Sequence, residues 1–488
     1  MSVLKKTYQL LSLAASFVLL SVVLSACSLV VDGEYPDVPS DDATKYINLT
    51  LYVNSDGTSV TRSPLGGENG DSREAGFLRE NQVSGITLIL YKGTGINDPQ
   101  AKVDFVKYFT VTEDNLEGRD AQGTTYNYDA AETYRSEARY TTGDQKVAND
   151  ELDFKGIYHV LIVANQNVST ACQKGTLISS IRDLCISNAY ATATPTQPWT
   201  AQQFVMTSER DATIDFSSIS PVQKEGVKNG LLYRVLQPML IERMSARIDY
   251  YTSGATFDET LGGYKYNVGS LGDVFVVTKV TPFNLYNEQE YIFKRVQDSW
   301  SAAQPVTTWL GDESTTNYVI DPNTANKDNN NTFSYLSPIA ETLSTDYAQT
   351  MSSLNADQKY KINNKDNIII AYPKENTLMP SSYLMNYATG IAFEGNYYSA
   401  GSTTPVKRVY YHYLRHQGES ASGSYHASQW SGLSDTESSS SSVSMNFGIV
   451  RNNIYRVSIE GIDAQEGTIM IKIEEKHWRH VDNPTIYI

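Results

Sequence analysis

The chain is predicted to be all-β and built from β-sandwiches, on three observations. Apolar residues fall in short runs rich in β-branched and aromatic side chains, each bounded by Gly, Asn, Asp or Ser. Tyrosine is abundant, with 34 copies in 488 residues, and suits half-exposed strands because the ring packs while the hydroxyl stays wet. Helical periodicity is sparse, and no repeat of about 20–50 residues is visible. A chain of 488 residues has room for two or three domains of ordinary size.

At the N-terminus, Lys5 and Lys6 precede an uncharged, largely apolar stretch from Tyr8 to Ala26. That pattern reads as a secretory signal, too short and wrongly flanked for a lasting membrane span. It ends in Leu24-Ser25-Ala26-Cys27, a lipobox, so Cys27 is the expected lipidation site and the rest of the chain acts outside the cytoplasm.

Strands are expected at Tyr46 to Val53, Ser84 to Tyr91, Gly156 to Asn165, Met244 to Tyr250, Asn367 to Tyr372, Val406 to Arg415 and Tyr455 to Ile459. Thr176 to Leu184 places Leu177, Ile181 and Leu184 on one face and reads as a short amphipathic helix. Ala348 to Tyr360 carries a weaker helical pattern. Asp312 to Thr332 and Ser434 to Ser444 read as solvated loops. A break between sandwiches is expected near Gly226–Pro238.

Removing residues 1–26 takes away two lysines and no acids, moving the formal charge from −16 to −18. Such an acidic chain repels phosphate, which argues against nucleic acid and against electrostatic attachment to anionic lipid. Membrane contact is therefore expected through the lipid on Cys27. Beyond Cys27 only Cys172 and Cys185 remain. In an oxidising compartment they either pair, closing a short loop worth ~3 kcal/mol at most, or stay as buried thiols.

A search for catalytic or metal chemistry finds none above background. His412 and His416 lie four apart, but no Glu follows the first, so the zinc-protease pattern fails; a pair on one strand face is more readily explained by packing. His477 and His480 flank Trp478 and read as tail residues. Asp321 to Thr332 has oxygen ligands at some calcium-loop spacings but lacks the sixth-position glycine and the twelfth-position glutamate, so it reads as a polar loop. Glu474 and Glu475 fall on opposite strand faces, which is wrong for shared acid–base work. There is no nucleophile elbow and no phosphate-binding glycine loop. No cofactor, metal or catalytic residue is expected.

The two ends carry the other signal. In Tyr46-Ile-Asn-Leu-Thr-Leu-Tyr-Val53, the residues Ile47, Leu49, Leu51 and Val53 share one face. A polar, Gly-rich stretch follows, with Arg62, Arg73 and Arg79 open to a trypsin-like protease. At the far end Ile469, Ile471 and Ile473 alternate, and the chain finishes in Thr485-Ile-Tyr-Ile488. A strand that can be clipped away at one end and a strand-forming tail at the other suit assembly by strand exchange. Two edge strands of a monomeric sandwich give the same periodicity.

Eight segments in order resemble the Bacteroidales fimbrillin family, subunits of the protease-matured type V pilus, across nearly the whole chain after Cys27. They are the lipobox Leu24–Cys27; Tyr46-Ile-Asn-Leu-Thr-Leu followed by Arg62; Val83-Ser-Gly-Ile-Thr-Leu-Ile-Leu-Tyr91; and Tyr158-His-Val-Leu-Ile-Val-Ala-Asn165. Phe204-Val-Met-Thr, Ile241-Glu-Arg-Met-Ser-Ala-Arg247, Tyr372-Pro-Lys-Glu-Asn376 and Gly448-Ile-Val-Arg-Asn-Asn-Ile-Tyr-Arg-Val-Ser-Ile459 complete the set.

The resemblance implies two transthyretin-like β-sandwich domains, export to the outer membrane as a lipoprotein precursor, and arginine-specific cleavage that removes the first strand with the lipid anchor. Another subunit's C-terminal segment then fills the groove. Carried onto this chain, Arg62 is the cleavage candidate. Ser63-Pro64 behind it would hinder some proteases and shift the cut to Arg73 or Arg79. Ile47, Leu49, Leu51 and Val53 plug the groove, and Ile469, Ile471, Ile473, Ile486 and Ile488 are the donor-strand candidates. The expected organisation is residues 1–26 as signal peptide, 27–62 as propeptide with the removable strand, 63–235 as N-terminal sandwich, and 236–488 as C-terminal sandwich with the donor tail.

The expected product is a non-catalytic pilus subunit supporting adhesion. Its partners are other copies of itself, accessory pilus subunits, an arginine-specific protease during maturation, and host or bacterial surface receptors. Two alternatives stay open: an anchor or accessory subunit that keeps its lipid uncleaved, and a surface glycan-binding lipoprotein using Trp430, Trp478 and tyrosines as an aromatic platform.

Overall fold

The computed structural model describes residues 43–53, 72–74, 78–95, 98–113, 126–127, 133–134, 138–188, 192–194, 197–208, 212–235, 241–297, 318–327, 331–339, 343–378, 384–414, 447–463 and 468–478. Cys27, Arg62, His416, Trp430, His480, Ile486, Ile488 and Ser434 to Ser444 lie outside these residues. The protein is all-β, with sheets stacked into sandwiches and few helical turns.

The first half contributes β1 (Thr44–Val53), β2 (Ser72–Glu74), β3 (Gly85–Lys92), β4 (Lys102–Thr110), β5 (Ala138–Thr141), β6 (Gln145–Val147) and β7 (Ile157–Ala164). Helix α1 (Ile178–Arg182) follows, then β8 (Met206–Ser208), β9 (Ala212–Asp215), β10 (Gly230–Val235) and β11 (Ile241–Arg243). One sheet is centred on β1, with β10 on one side and β5 and β6 on the other. The facing sheet runs β11-β8-β7-β3-β4, with β9 also on β7. Ile47, Leu49, Val147, Tyr233 and Val235 from the first sheet meet Leu88, Leu90, Phe105, Val160 and Ile162 from the second in one core.

Strand β3 shows why its sequence is a continuous apolar run. Ile86, Leu88 and Leu90 face that core, while Ile89 and Tyr91 face a second cluster made with α1 residues Ile178 and Ile181 and with Met244, Ile292 and Phe293. Covered on both faces, it has no solvent side to make polar. The helix expected over Thr176 to Leu184 is there, trimmed to Ile178–Arg182.

The second half contributes β12 (Arg247–Tyr251), β13 (Gly263–Val268), β14 (Asp273–Phe283), β15 (Lys359–Ile362), β16 (Lys365–Ala371), β17 (Gly390–Tyr398), β18 (Val406–Tyr413), β19 (Asn453–Asp463) and β20 (Thr468–Trp478). One sheet runs β2-β20-β19-β12-β16-β15, and its partner includes β13-β14-β17-β18. Ile248, Tyr250, Tyr455 and Val457 pack against Tyr264, Phe275, Val277 and Phe393 between them. Sheet membership changes between Arg243 and Arg247, a few residues beyond the expected break.

Two sequence readings are corrected. Ala348 to Tyr360 is not a helix but two single 3-10 turns, Met351–Ser353 and Ala356–Gln358. The Asn355 side chain accepts from the Asp357 amide, a local bond that starts a turn instead of extending a helix. Asp321 to Thr332 is not wholly solvated: Asp321 is 1% exposed and Lys327 0%, and they form an ion pair. The lysine ammonium occupies the place a cation would need beside that carboxylate, and also donates to Asn376 Oδ1 at 2.8 Å and the Thr377 carbonyl at 2.9 Å. Of the two alternatives left open for Cys172 and Cys185, the structure has both as free thiols. Cys172 is sealed in the cluster under α1, whereas Cys185 lies beyond the helix on a short strand paired with Glu290–Tyr291.

Candidate functional site

The sequence points to the two ends of the chain, and the fold assigns each a place. Strand β1 lies inside its sheet. Through Leu49 it pairs in parallel with β10, Thr44 opposite Gly230 and Leu49 opposite Val235. On its other edge Lys45–Ile47 pair with β6, and Thr50–Val53 pair antiparallel with β5. A bulge at Thr142–Asp144 separates β5 from β6, and β1 fills it: the Leu49 amide donates to Thr142 Oγ1 at 3.0 Å, and the Thr142 amide donates to the Leu49 carbonyl at 3.1 Å.

Ile47 and Leu49 are completely buried between the sheets. Their removal from water is worth about 1.5–3 kcal/mol each, so these two plug residues alone contribute ~3–6 kcal/mol. Leu51 and Val53 pair with β5 through their backbone, and their side chains lie outside the described residues.

Polar contacts fix the register of β1. Asn48 Nδ2 donates to Asp144 Oδ1 at 2.9 Å, and Thr141 Oγ1 donates to Asn48 Oδ1 at 2.8 Å. Lys224 reaches Asp144 at 2.6 Å. Burial pushes the Asp144 carboxyl up, but hydrogen bonds from Lys224 and Asn48 and the Lys224 charge hold it below the usual range. Beside β10, on the side away from β1, a cleft of about 520 Å³ opens between the sheets, lined by Ile214, Ile219, Val222, Leu232, Arg234 and Val235.

At the other end, Ile469, Ile471 and Ile473 lie on β20, which forms an antiparallel hairpin with β19 from Asn453 opposite His477 to Asp463 opposite Thr468. On its outer edge, Ser72–Glu74 pair in parallel with Lys476–Trp478. Arg73 is thus on β2, opposite His477. Arg79 is in the 3-10 turn Leu78–Asn81.

That turn leads into a feature the sequence reading missed. Glu80 and Asn81 are fully buried. Arg247 Nη1 donates to both Glu80 carboxylate oxygens at 3.1 and 3.2 Å, and the Tyr372 hydroxyl donates to Oε1. Arg243 Nε donates to the Glu80 carbonyl at 2.9 Å, and Arg243 Nη2 to Asn81 Oδ1. Arg247 also holds Asp249 through two bonds at 3.0 and 2.9 Å, and Asp249 accepts from Tyr360 and Asn367 at 3.0 and 2.7 Å. The available signal was Arg247 and Asp249, two positions apart on one face of an otherwise apolar strand.

His412 is 6% exposed on β18, and among the described residues no group of three or more His, Cys, Asp or Glu converges as metal ligands. Among them, too, no helix is long and apolar enough to cross a membrane.

No protein-family model matches the chain, and no curated protein does. Solved structures show low similarity over most of its length. A Parabacteroides distasonis protein, provisionally described as a cell adhesion protein, is 11% identical, with 89% of this chain and 100% of that one covered, at a TM-score of 0.41. A fimbrilin from Porphyromonas gingivalis is 11% identical, covering 91% of this chain and 100% of its own, at 0.38. The tip fimbrial protein Mfa3 from the same organism, with its C-terminus truncated, is 11% identical, covering 88% and 100%, at 0.35. At these values the function rests on the chain's own residues.

Proposed function

We propose that this protein is a structural subunit of a bacterial type V pilus, a member of the fimbrillin family. It is made as a lipoprotein precursor lipidated at Cys27, matured by arginine-specific cleavage, and polymerised by donor-strand exchange in support of adhesion. The observation that carries this reading is the position of β1. It is the first described strand after the lipobox, yet it sits inside a sheet with both edges bonded and with Ile47 and Leu49 in the core.

Losing β1 would leave β10 on one side and β5 and β6 on the other without a common partner, above an emptied apolar slot. Unpaired strand edges beside exposed core residues demand a replacement strand. A strand from another copy would supply it, and a head-to-tail contact of that kind does not close, so a fibre grows. Arg62, in the connection between β1 and β2, is the favoured site of cleavage. The subunit acts without catalysis, and its receptors are contacted by the fibre.

The test is brief arginine-specific proteolysis of the purified protein, followed by N-terminal mass, size exclusion and electron microscopy. Clipping at Arg62, Arg73 or Arg79 followed by filaments, lost when residues 468–488 are deleted, is the expected result. A clipped protein that stays a stable monomer would overturn the shaft-subunit reading and favour the uncleaved-anchor or glycan-binding alternatives.

A further inference from the structure

We propose that Ser72–Glu74, tethered to the turn Leu78–Asn81, form a strap that caps the Lys476–Trp478 end of the outer edge of β20 in the precursor, and that cleavage after Arg73 opens this end while cleavage after Arg62 does not. The inference rests on the strand-exchange reading for its biological role and on the strap's own geometry for its existence.

Among the described residues, β20 without β2 would be the last strand of its sheet, with a row of free amides and carbonyls on one side. The three residues Ser72–Glu74 cover the Lys476–Trp478 end of that row. So short a strand pairs weakly by itself. It is held by a tether: with three residues between, Glu74 is followed by the turn Leu78–Asn81, where Glu80 and Asn81 are locked to Arg247, Tyr372 and Arg243 inside the protein. From Glu74 to Leu78 is four residue steps, at most about 14 Å, so a β2 that lets go stays within that reach of the turn while Glu80 stays bound. The short tether keeps the local concentration of β2 at its edge high.

The two sites of scission then have different consequences. Hydrolysis after Arg62 leaves residues 63–81 attached to the latch, and the cap stays. Hydrolysis of the Arg73–Glu74 bond, with one water giving a carboxylate on Arg73 and an ammonium on Glu74, cuts through β2 itself. Ser72 and Arg73 then depart with β1, and the groove and the capped end of the β20 edge open in one event. Cleavage after Arg79 is resisted, because a protease must draw several residues into an extended form and the next two are fully buried.

Hydrogen exchange of the full chain, purified in detergent, tests this on the monomer. In a parallel pair alternate residues donate to the neighbour, so S72P/R73P removes a pairing amide whichever of the two provides it. Exchange at residues 476–478 should rise about tenfold or more in this variant, with residues 453–459 unchanged. In a second arm an arginine-specific protease is applied to R62Q and to R73Q. Protection of 476–478 should be lost in cleaved R62Q and kept in cleaved R73Q. Unchanged exchange in S72P/R73P, or equal protection in the two cleaved variants, overturns the strap. Failure to form filaments would instead sink the pilin reading and leave the exchange result standing.

Discussion

Arg247 Nη1 reaches both carboxylate oxygens of Glu80, at 3.1 and 3.2 Å across 167 positions of sequence, with neither side chain open to solvent. This contact joins the turn before β3, an inner strand of one sandwich, to β12, an inner strand of the other. The chain between β1 and β3 is therefore fastened to the second sandwich before the first is complete.

Substitutions in this cluster should rank by what they leave behind. Glu80→Gln keeps the shape, and Arg247 retains Asp249, so the loss should be about 1.5–3 kcal/mol, the worth of hydrogen bonds to a charged group. Arg247→Met leaves Glu80 and Asp249 buried without their shared cation and should cost more, about 3–5 kcal/mol. Urea unfolding of both variants checks the order; a smaller loss for Arg247→Met would refute it.

Leu49→Ala should destabilise the precursor by about 2–5 kcal/mol, because the sealed core cannot collapse onto the cavity. The same change should speed release of β1 after cleavage, since fewer apolar contacts hold the strand. Denaturant midpoints measure the first effect, and the rate at which the clipped N-terminal peptide leaves measures the second.

Stability should carry a pH signature from Glu290. Burial raises its carboxyl from 4.5 to about 8 against the opposing pull of Arg451. The folded protein then holds a proton that the unfolded chain has lost, so stability falls as pH rises between about 4.5 and 8 and levels off above that. Glu290→Gln keeps an acceptor for the Glu375 amide, which donates to Glu290 Oε1 at 2.7 Å, and has no proton to lose. The variant should gain on the wild type by a few kcal/mol across that window. Parallel unfolding curves at pH 5 and pH 8 would contradict this.

Both thiols should be poor nucleophiles. Burial pushes Cys172 and Cys185 to about 11, with Asp183 adding to the effect at Cys185. Maleimide labelling at neutral pH should be slow at Cys185 and absent at Cys172 until the protein unfolds, because the thiolate is the reactive form. Prompt labelling of Cys172 would disprove its enclosure.

The strands around Ile47–Leu49, Ile86–Leu90 and Val160–Ala164 were legible in the sequence because alternation and turn residues are local signals. The short helix near Ile181 was legible for the same reason. The ion pair of Asp321 and Lys327 was not, since a polar run looks solvated until distant strands close over it. Nor could the sequence show Glu80 as a buried anchor, because its cation lies 167 residues away.

By itself, then, the sequence determined an all-β chain with an alternating strand near each end, as period-two patterning is a property of neighbours along the chain. The tertiary structure alone decided that β1 lies between two strands, that β20 carries Ser72–Glu74 on its edge, and which arginine stands beside a locked turn. Those are facts of pairing between remote segments. Pairing is fixed by which backbone edges and apolar faces remain uncovered when the whole chain has collapsed, and no local pattern records that.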